Sequence, residues 1–144
     1  MYTMPKRMKP KSKEDQLIPT VEFKNCPIRV SLGVLGKKWT LLILRDIAFL
    51  KIDRFNQIKR SIPGLTSRVL SLRLHELEKS ELIEAIIMQN KPKIIKWALT
   101  EKGKDTFPIL MSFISFGAKW YSDVIFEDKR PRKLAELFPA NAKL

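Results

Sequence analysis

The chain of 144 residues has one cysteine, Cys26, and one histidine, His75. A lone cysteine has no partner for an internal disulfide, which fits a reducing cytoplasm. One cysteine and one histidine also cannot supply the ligand set of a metal cluster, and no third partner for nucleophilic catalysis is evident beside them. Long apolar runs are missing too. The most apolar stretch, residues 107–126, is interrupted by Pro108, Ser112, Ser115, Lys119, Ser122 and Asp123, which argues against a transmembrane helix. Residues 1–17 are studded with lysine and proline and hold no apolar run of a secretory signal. Acidic residues are the last shortage: 15 Asp and Glu stand against 28 Lys and Arg, for a net charge of +13. That balance is silent on fold but favours a polyanionic partner, nucleic acid ahead of an anionic membrane surface.

Few residues are arranged for catalysis. The run Gly33-Val34-Leu35-Gly36-Lys37-Lys38 superficially suggests a phosphate loop, but its glycines are two residues too close and no strand precedes them. Glu76 and Glu78 share a helix at a spacing that does not converge. No enzymatic activity, cofactor or metal is expected.

What the chain does have is helical periodicity, at a hydrophobic content of 44% that suffices for a real core. Residues 1–22, with Lys6, Arg7, Lys9, Lys11 and Lys13 among Pro5, Pro10 and Pro19, read as a flexible basic arm. Either a solvated tail or an arm that touches nucleic acid fits that composition. From Pro27 onward, Ile28, Leu32 and Leu35 recur at helical spacing, and Gly36 offers a stop. Residues 38–49 repeat the pattern with Trp39, Leu42, Ile43 and Ile47. Asp53 is a candidate N-cap for a short helix over 54–62, which Pro63-Gly64 then breaks.

Thr66 is a candidate cap for a helix running to about Ser80. Its residues place Leu70, Leu74 and Leu77 on one stripe and Arg68, Ser71, Leu72, His75 and Lys79 on the other side. Residues 82–89 and 94–99, rich in β-branched side chains, flank Asn90-Lys91-Pro92-Lys93 and predict a β-hairpin. Thr100 and Glu101 open a last long helix to about Phe126, and residues 132–138 suggest a short terminal one. The expected organisation is one domain over 23–126 with a C-terminal extension over 127–144.

Helix, helix, short helix, break, helix, hairpin, long helix describes a mainly α chain with a small hairpin (α+β), in the winged helix-turn-helix order. The run from Cys26-Pro27 through Ser31-Leu32, Gly36-Lys37-Lys38-Trp39-Thr40 with the apolar residues up to Arg45, and Arg54-Phe55-Asn56-Gln57-Ile58 resemble the HxlR-type regulators, relatives of the MarR group. So do Ile62-Pro63-Gly64-Leu65-Thr66-Ser67-Arg68, Leu74-His75-Glu76-Leu77-Glu78 and Leu99-Thr100-Glu101-Lys102-Gly103. The resemblance spans roughly residues 24–122, with separate motifs in the right order and spacing. It departs from the family at Lys37 and Glu81, where glycine is usual, and at Leu72, where a polar residue is common. A glycine at 81 would relieve a left-handed helix cap, so a different helix end is expected there.

The resemblance implies a winged-helix transcriptional regulator whose 66–80 helix enters the major groove of double-stranded DNA. In that geometry the N-terminal residues of the recognition helix approach base edges, and Arg68 can pair bidentately with guanine. Ser67, Ser71 and His75 are shorter polar readers or phosphate contacts, with Lys79 further along the same side. Leu72 either meets a thymine methyl or lies under the hairpin. Thr66 and the helix N-terminus offer N–H groups to a phosphate. Lys91 and Lys93 in the wing, Lys96 less directly, and Lys38 at the start of the second helix are further phosphate candidates. The bland alternative for the hairpin lysines is protection of an exposed strand edge.

Residues 108–118 carry no charge, and Ile109, Leu110, Phe113, Ile114 and Phe116, with Trp120 beyond, occupy most of the helix circumference. A helix apolar on nearly all sides needs burial on two. Its own core supplies one, and a second copy in a homodimer, or else the terminal segments, supplies the other. A twofold dimer fits a near-palindromic operator. Cys26 matches the place of a redox-sensing cysteine in some family members and has Lys24 and Arg29 nearby, whereas free cysteine is often only a small buried hydrophobe. A non-specific nucleic-acid-coating protein is the rival class, but Trp39, Phe55, Trp97, Phe113 and Trp120 fall in apolar patterns rather than among exposed stacking residues.

Overall fold

The computed structural model describes residues 16–142. The basic arm expected over 1–22 therefore lies mostly outside the described residues. Helix α1 (Pro27–Leu35) begins on a proline, whose fixed φ and missing N–H suit a first turn, and ends at Gly36. Helix α2 (Thr40–Arg45) continues into one wide π turn, Asp46–Leu50. It starts two residues later than the periodicity predicts because Trp39 is left-handed, with φ 79°, so Lys38 lies in the loop before α2 rather than on it.

Helix α3 (Phe55–Ser61) and helix α4 (Ser67–Lys79) form the helix-turn-helix. Asp53 does not cap α3. The N-cap is Arg54, without a side-chain bond, and the Asp53 carbonyl instead accepts the Trp97 N–H at 2.8 Å, which ties this loop to the hairpin. Thr66 does cap α4, its Oγ1 accepting the Val69 N–H at 3.2 Å.

Strands β1 (Ile83–Asn90) and β2 (Lys93–Leu99) pair antiparallel from Ile83↔Leu99 to Asn90↔Lys93, with an irregularity between Ile87 and Gln89. Asn90 and Lys93 are paired, so the turn is Lys91-Pro92 alone, shorter than the four residues expected. Proline there removes no ladder donor.

The single helix expected from Thr100 to about Phe126 is three: α5 (Glu101–Lys104), α6 (Phe107–Trp120) and α7 (Ser122–Ile125). Pro108 has no N–H to bond back to the Lys104 carbonyl. The Thr106 hydroxyl donates to the Gly103 carbonyl at 2.6 Å and turns the chain there. The second break falls at Tyr121, φ −121°, whose N–H still bonds Gly117. The terminal helix over 132–138 is reduced to one 3-10 turn, Leu134–Glu136. The Arg132 N–H bonds the Ala118 carbonyl at 3.2 Å and lays this tail along α6.

The core joins α2, the helix-turn-helix, the hairpin and α6. Ile43 and Leu44 of α2, Ile58 of α3, Leu70, Leu74 and Leu77 of α4, Ile83 of β1 and Leu110 of α6 belong to one buried cluster. Each such side chain contributes roughly 1.5–3 kcal/mol by leaving water. Helix α1 buries nothing. Its residues Ile28, Val30 and Leu32 are exposed, and only Val34 and Leu35 pack on the core from the side. Among the described residues no helix is long and apolar enough to cross a membrane.

Candidate nucleic-acid interface

Burial of Leu70, Leu74 and Leu77 fixes the rotation of α4 about its axis. The opposite side therefore faces outward, and Ser67, Arg68, Ser71, Leu72, His75 and Lys79 are all exposed on it, with Thr66 exposed at the N-cap. Leu72 is 50% exposed, so the hairpin does not cover it. The groups assembled on one side are a guanidinium, an ammonium, hydroxyls, an imidazole and one aliphatic chain. That set can donate to base edges and phosphates and can touch a methyl group.

Three devices hold this helix in place. At its start, Gly64 turns with φ +86°, and a Cβ there would come 3.3 Å from the Trp39 ring. Halfway along, Arg73 donates through Nε to the Lys38 carbonyl at 2.9 Å and through Nη1 to Glu76 at 3.2 Å. Lys37 Nζ reaches the same carboxylate at 3.0 Å. The hydrogen bond from Lys37 holds the Glu76 carboxyl below its ordinary value, with Arg73 adding to it against partial burial. Lys37, Arg73 and Glu76 thus join the loop before α2 to α4. Sequence alone does not reveal this cluster: Arg73 and Glu76 are visible as an i,i+3 pair, but nothing in the chain places Lys37 beside them.

The third device is at the C-terminus. Glu81 stands in the left-handed conformation, φ 61°, so the helix ends as a glycine would end it, contrary to expectation. The Glu81 N–H bonds Glu78 at 2.9 Å and the Leu82 N–H bonds Leu77 at 3.0 Å, the pair of bonds that defines a Schellman cap. The run Thr100-Glu101-Lys102-Gly103 closes on this corner. Thr100 donates through Oγ1 to the Glu81 carbonyl at 2.5 Å, and Lys102 Nζ to the Ser80 carbonyl at 2.7 Å. A Cβ on Gly103 would lie 2.0 Å from the Leu82 carbonyl oxygen, a distance only glycine avoids.

The wing carries Lys91 in its turn and Lys93 at the start of β2, both exposed. Gln89 Nε2 donates to the Lys91 carbonyl at 2.8 Å and steadies the tip. Lys96 is half-buried at the root, where it lines a cleft of about 740 Å³ with Trp97, Lys51 and Phe107. Lys38 is exposed in the loop before α2, its ammonium 4.8 Å from the Trp39 ring centre. Lys59 and Arg60, in the last turn of α3 and exposed, extend the positive surface beyond the residues singled out from sequence.

The apolar residues of α6 divide. Leu110 is buried in the chain's own core, whereas Phe113, Phe116 and Trp120 are 58–64% exposed and Ile109 is 39% exposed. Ile114 is half-buried. Beside them runs a cleft of about 620 Å³ lined by Ile28, Leu32 and Leu35 of α1, Trp39, and Ile109 and Phe113 of α6. Cys26 is a free, exposed thiol at the N-cap of α1, next to this apolar surface, and so is not a buried hydrophobe.

Comparison with known proteins points the same way. Residues 34–124 match the family described as HxlR-like helix-turn-helix. Among named proteins, the chain is 31% identical over 112 residues to the HTH-type transcriptional regulator YdeP of Bacillus subtilis, covering 78% of this chain and 86% of that protein. It is 37% identical over 97 residues to an HTH-type transcriptional regulator of Methanothermobacter thermautotrophicus, covering 67% and 73%. Among solved structures, a possible HxlR family transcriptional factor from Thermoplasma volcanium superposes with a TM-score of 0.55 at 36% identity, over 64% of this chain and 82% of that one. The reduced form of the transcriptional regulator YodB from B. subtilis does so with a TM-score of 0.56 at 28% identity, over 67% and 94%.

Proposed function

The chain belongs to the HxlR-like helix-turn-helix family, and from that premise we propose that it regulates transcription as a homodimer bound to a near-palindromic operator. That it is a transcriptional regulator with a helix-turn-helix DNA-binding fold, not an enzyme, follows from the family and its relatives. The finer reading rests above all on α4, whose Leu70, Leu74 and Leu77 are turned inward and whose Arg68, Ser71, His75 and Lys79 are all turned out. In the major groove Arg68 pairs with guanine O6 and N7, a contact worth about 1–3 kcal/mol of discrimination. Thr66 and Ser67 lead the helix N-terminus to a phosphate. Lys38, Lys91 and Lys93 neutralise others, each adding roughly −0.9 to the slope of log K against log salt.

A second copy docks on the α6 face through Ile109, Phe113, Phe116 and Trp120, with Leu110 and the inner edge of Ile114 anchoring that helix from within. The twofold axis then sets two recognition helices about 34–36 Å apart, one DNA turn. The protein works in the cytoplasm, where the operator is. Exposed Cys26, at the N-cap of α1, gives the dimer a redox input, in keeping with a relative solved as a reduced form. Oxidant treatment is expected to change operator affinity reversibly with thiol. A response that persists in Cys26→Ser removes this part of the reading.

The deciding experiment measures binding of the protein to its own upstream DNA and to a scrambled duplex of equal length, in wild type and Arg68→Ala. Preference for the upstream duplex, reduced about 10- to 100-fold by the alanine, supports the operator reading. The net charge of +13 favours the rival, a non-specific architectural binder. Equal binding of both duplexes, untouched by Arg68→Ala, would establish that instead.

A further inference from the structure

The outward side of α4 holds a single aliphatic residue in a polar setting. Leu72, 50% exposed, sits among Arg68, Ser71, His75 and Lys79. At 3.6 residues per turn it lies about 40° around the helix from Arg68, near the middle of the outward side. Leu70, Leu74 and Leu77 point the other way into the core, and Val69 is half-buried against it. An isolated surface leucine needs no explanation. One placed in the middle of the surface that this helix offers to a ligand does, because it displaces a hydrogen-bonding side chain from the reading position.

The base edges of the major groove carry one apolar group, the C5-methyl of thymine. We propose that Leu72 packs on a thymine C5-methyl and makes the protein select thymine at one base pair of each half-site. This inference rests on the operator reading above. Leu72 is one helical turn beyond Arg68, about 6 Å along the axis. That distance spans roughly two steps of 3.4 Å along a DNA strand. The selected thymine therefore lies within about two base pairs of the guanine that Arg68 reads.

The test begins by selecting preferred duplexes from a random pool with the full-length protein. Each thymine of the preferred half-site is then exchanged for deoxyuridine, which removes the methyl and keeps the pairing. In wild type, one position within about two base pairs of the Arg68-dependent guanine is expected to weaken binding about fourfold per half-site, the effect of burying one carbon unit. Leu72→Ala is expected to ignore that exchange while keeping its dependence on the guanine, which also shows that the variant folds and docks. A preferred duplex indifferent to every such exchange, or a Leu72→Ala protein as sensitive as wild type, overturns this inference and leaves the operator reading standing. A selection that yields no preferred duplex overturns both.

Discussion

Helices α4 and α6 are almost equal in length, 13 and 14 residues, yet they solve opposite problems. In α4 the chain itself covers the whole leucine stripe, and what remains outside is polar except for Leu72. In α6 the chain covers Leu110 and Met111 and leaves Phe113, Phe116 and Trp120 in the open, beside the equally uncovered Ile28 and Leu32 of α1. A helix whose outer side is polar and basic is finished as a monomer and presents that side to a polyanion. A helix with aromatic rings outside is unfinished, since a contiguous apolar patch of this kind marks an interface. In the proposed function the two helices divide the work: α4 reads the operator, and α6 sets how far apart two readers stand.

The sharpest way to break that contrast is to charge the open side of α6. Phe113→Asp is expected to convert the dimer to monomer in sedimentation experiments. Operator affinity should then fall about 10²- to 10⁴-fold, because the second half-site loses the effective concentration that linkage gives it. Phe113 is 62% exposed in the single chain, so helix content by circular dichroism should hold. A wild-type protein that is already monomeric would refute the division of labour between the helices.

Cutting into the covered side of α4 acts differently. Leu74 is 3% exposed within the main core cluster. Leu74→Ala is expected to destabilise the fold by about 2–5 kcal/mol in urea unfolding, through lost burial and the cavity left behind. Phe116→Ala, made on the open helix, should leave the unfolding of a monomeric Phe113→Asp background nearly unchanged. If both substitutions cost the monomer alike, Phe116 is held by its own chain and the contrast fails.

Sequence made α4 legible in both senses. Its cap at Thr66, its buried stripe and its outward residues all follow from a regular period with no proline inside. The long helix expected after the hairpin is three, a division that periodicity hides because it runs through Pro108 and Tyr121 without showing that the chain bends at each. Pro108 was visible, but a proline in the first turn of a new helix looks the same as one interrupting an old helix. The outward turn of α1 was hidden for another reason. Ile28, Leu32 and Leu35 announce an amphipathic helix, and a single sequence does not say whether its stripe meets its own core or another molecule. The Lys37–Glu76–Arg73 cluster depends on tertiary approach across 39 positions, which no local pattern encodes.

Glu81 tests the finest part of the comparison, how α4 is ended so that its outward side stays in register. The backbone there is left-handed, where a side chain costs about 1–2 kcal/mol relative to the right-handed region. The cap bonds of Glu81 and Leu82 and the hydroxyl bond from Thr100 hold it in spite of that. Glu81→Gly removes the strain while keeping every one of those backbone bonds, at the expense of a looser unfolded chain. A net gain of about 0.5–1 kcal/mol is expected, which raises the melting temperature by roughly 2–4 °C per kcal/mol in a chain of this size. Glu81→Ala serves as the control, since it deletes the same carboxylate but keeps the strained φ and should gain nothing. Equal gains in both variants would mean that charge, not backbone geometry, is what the position resists.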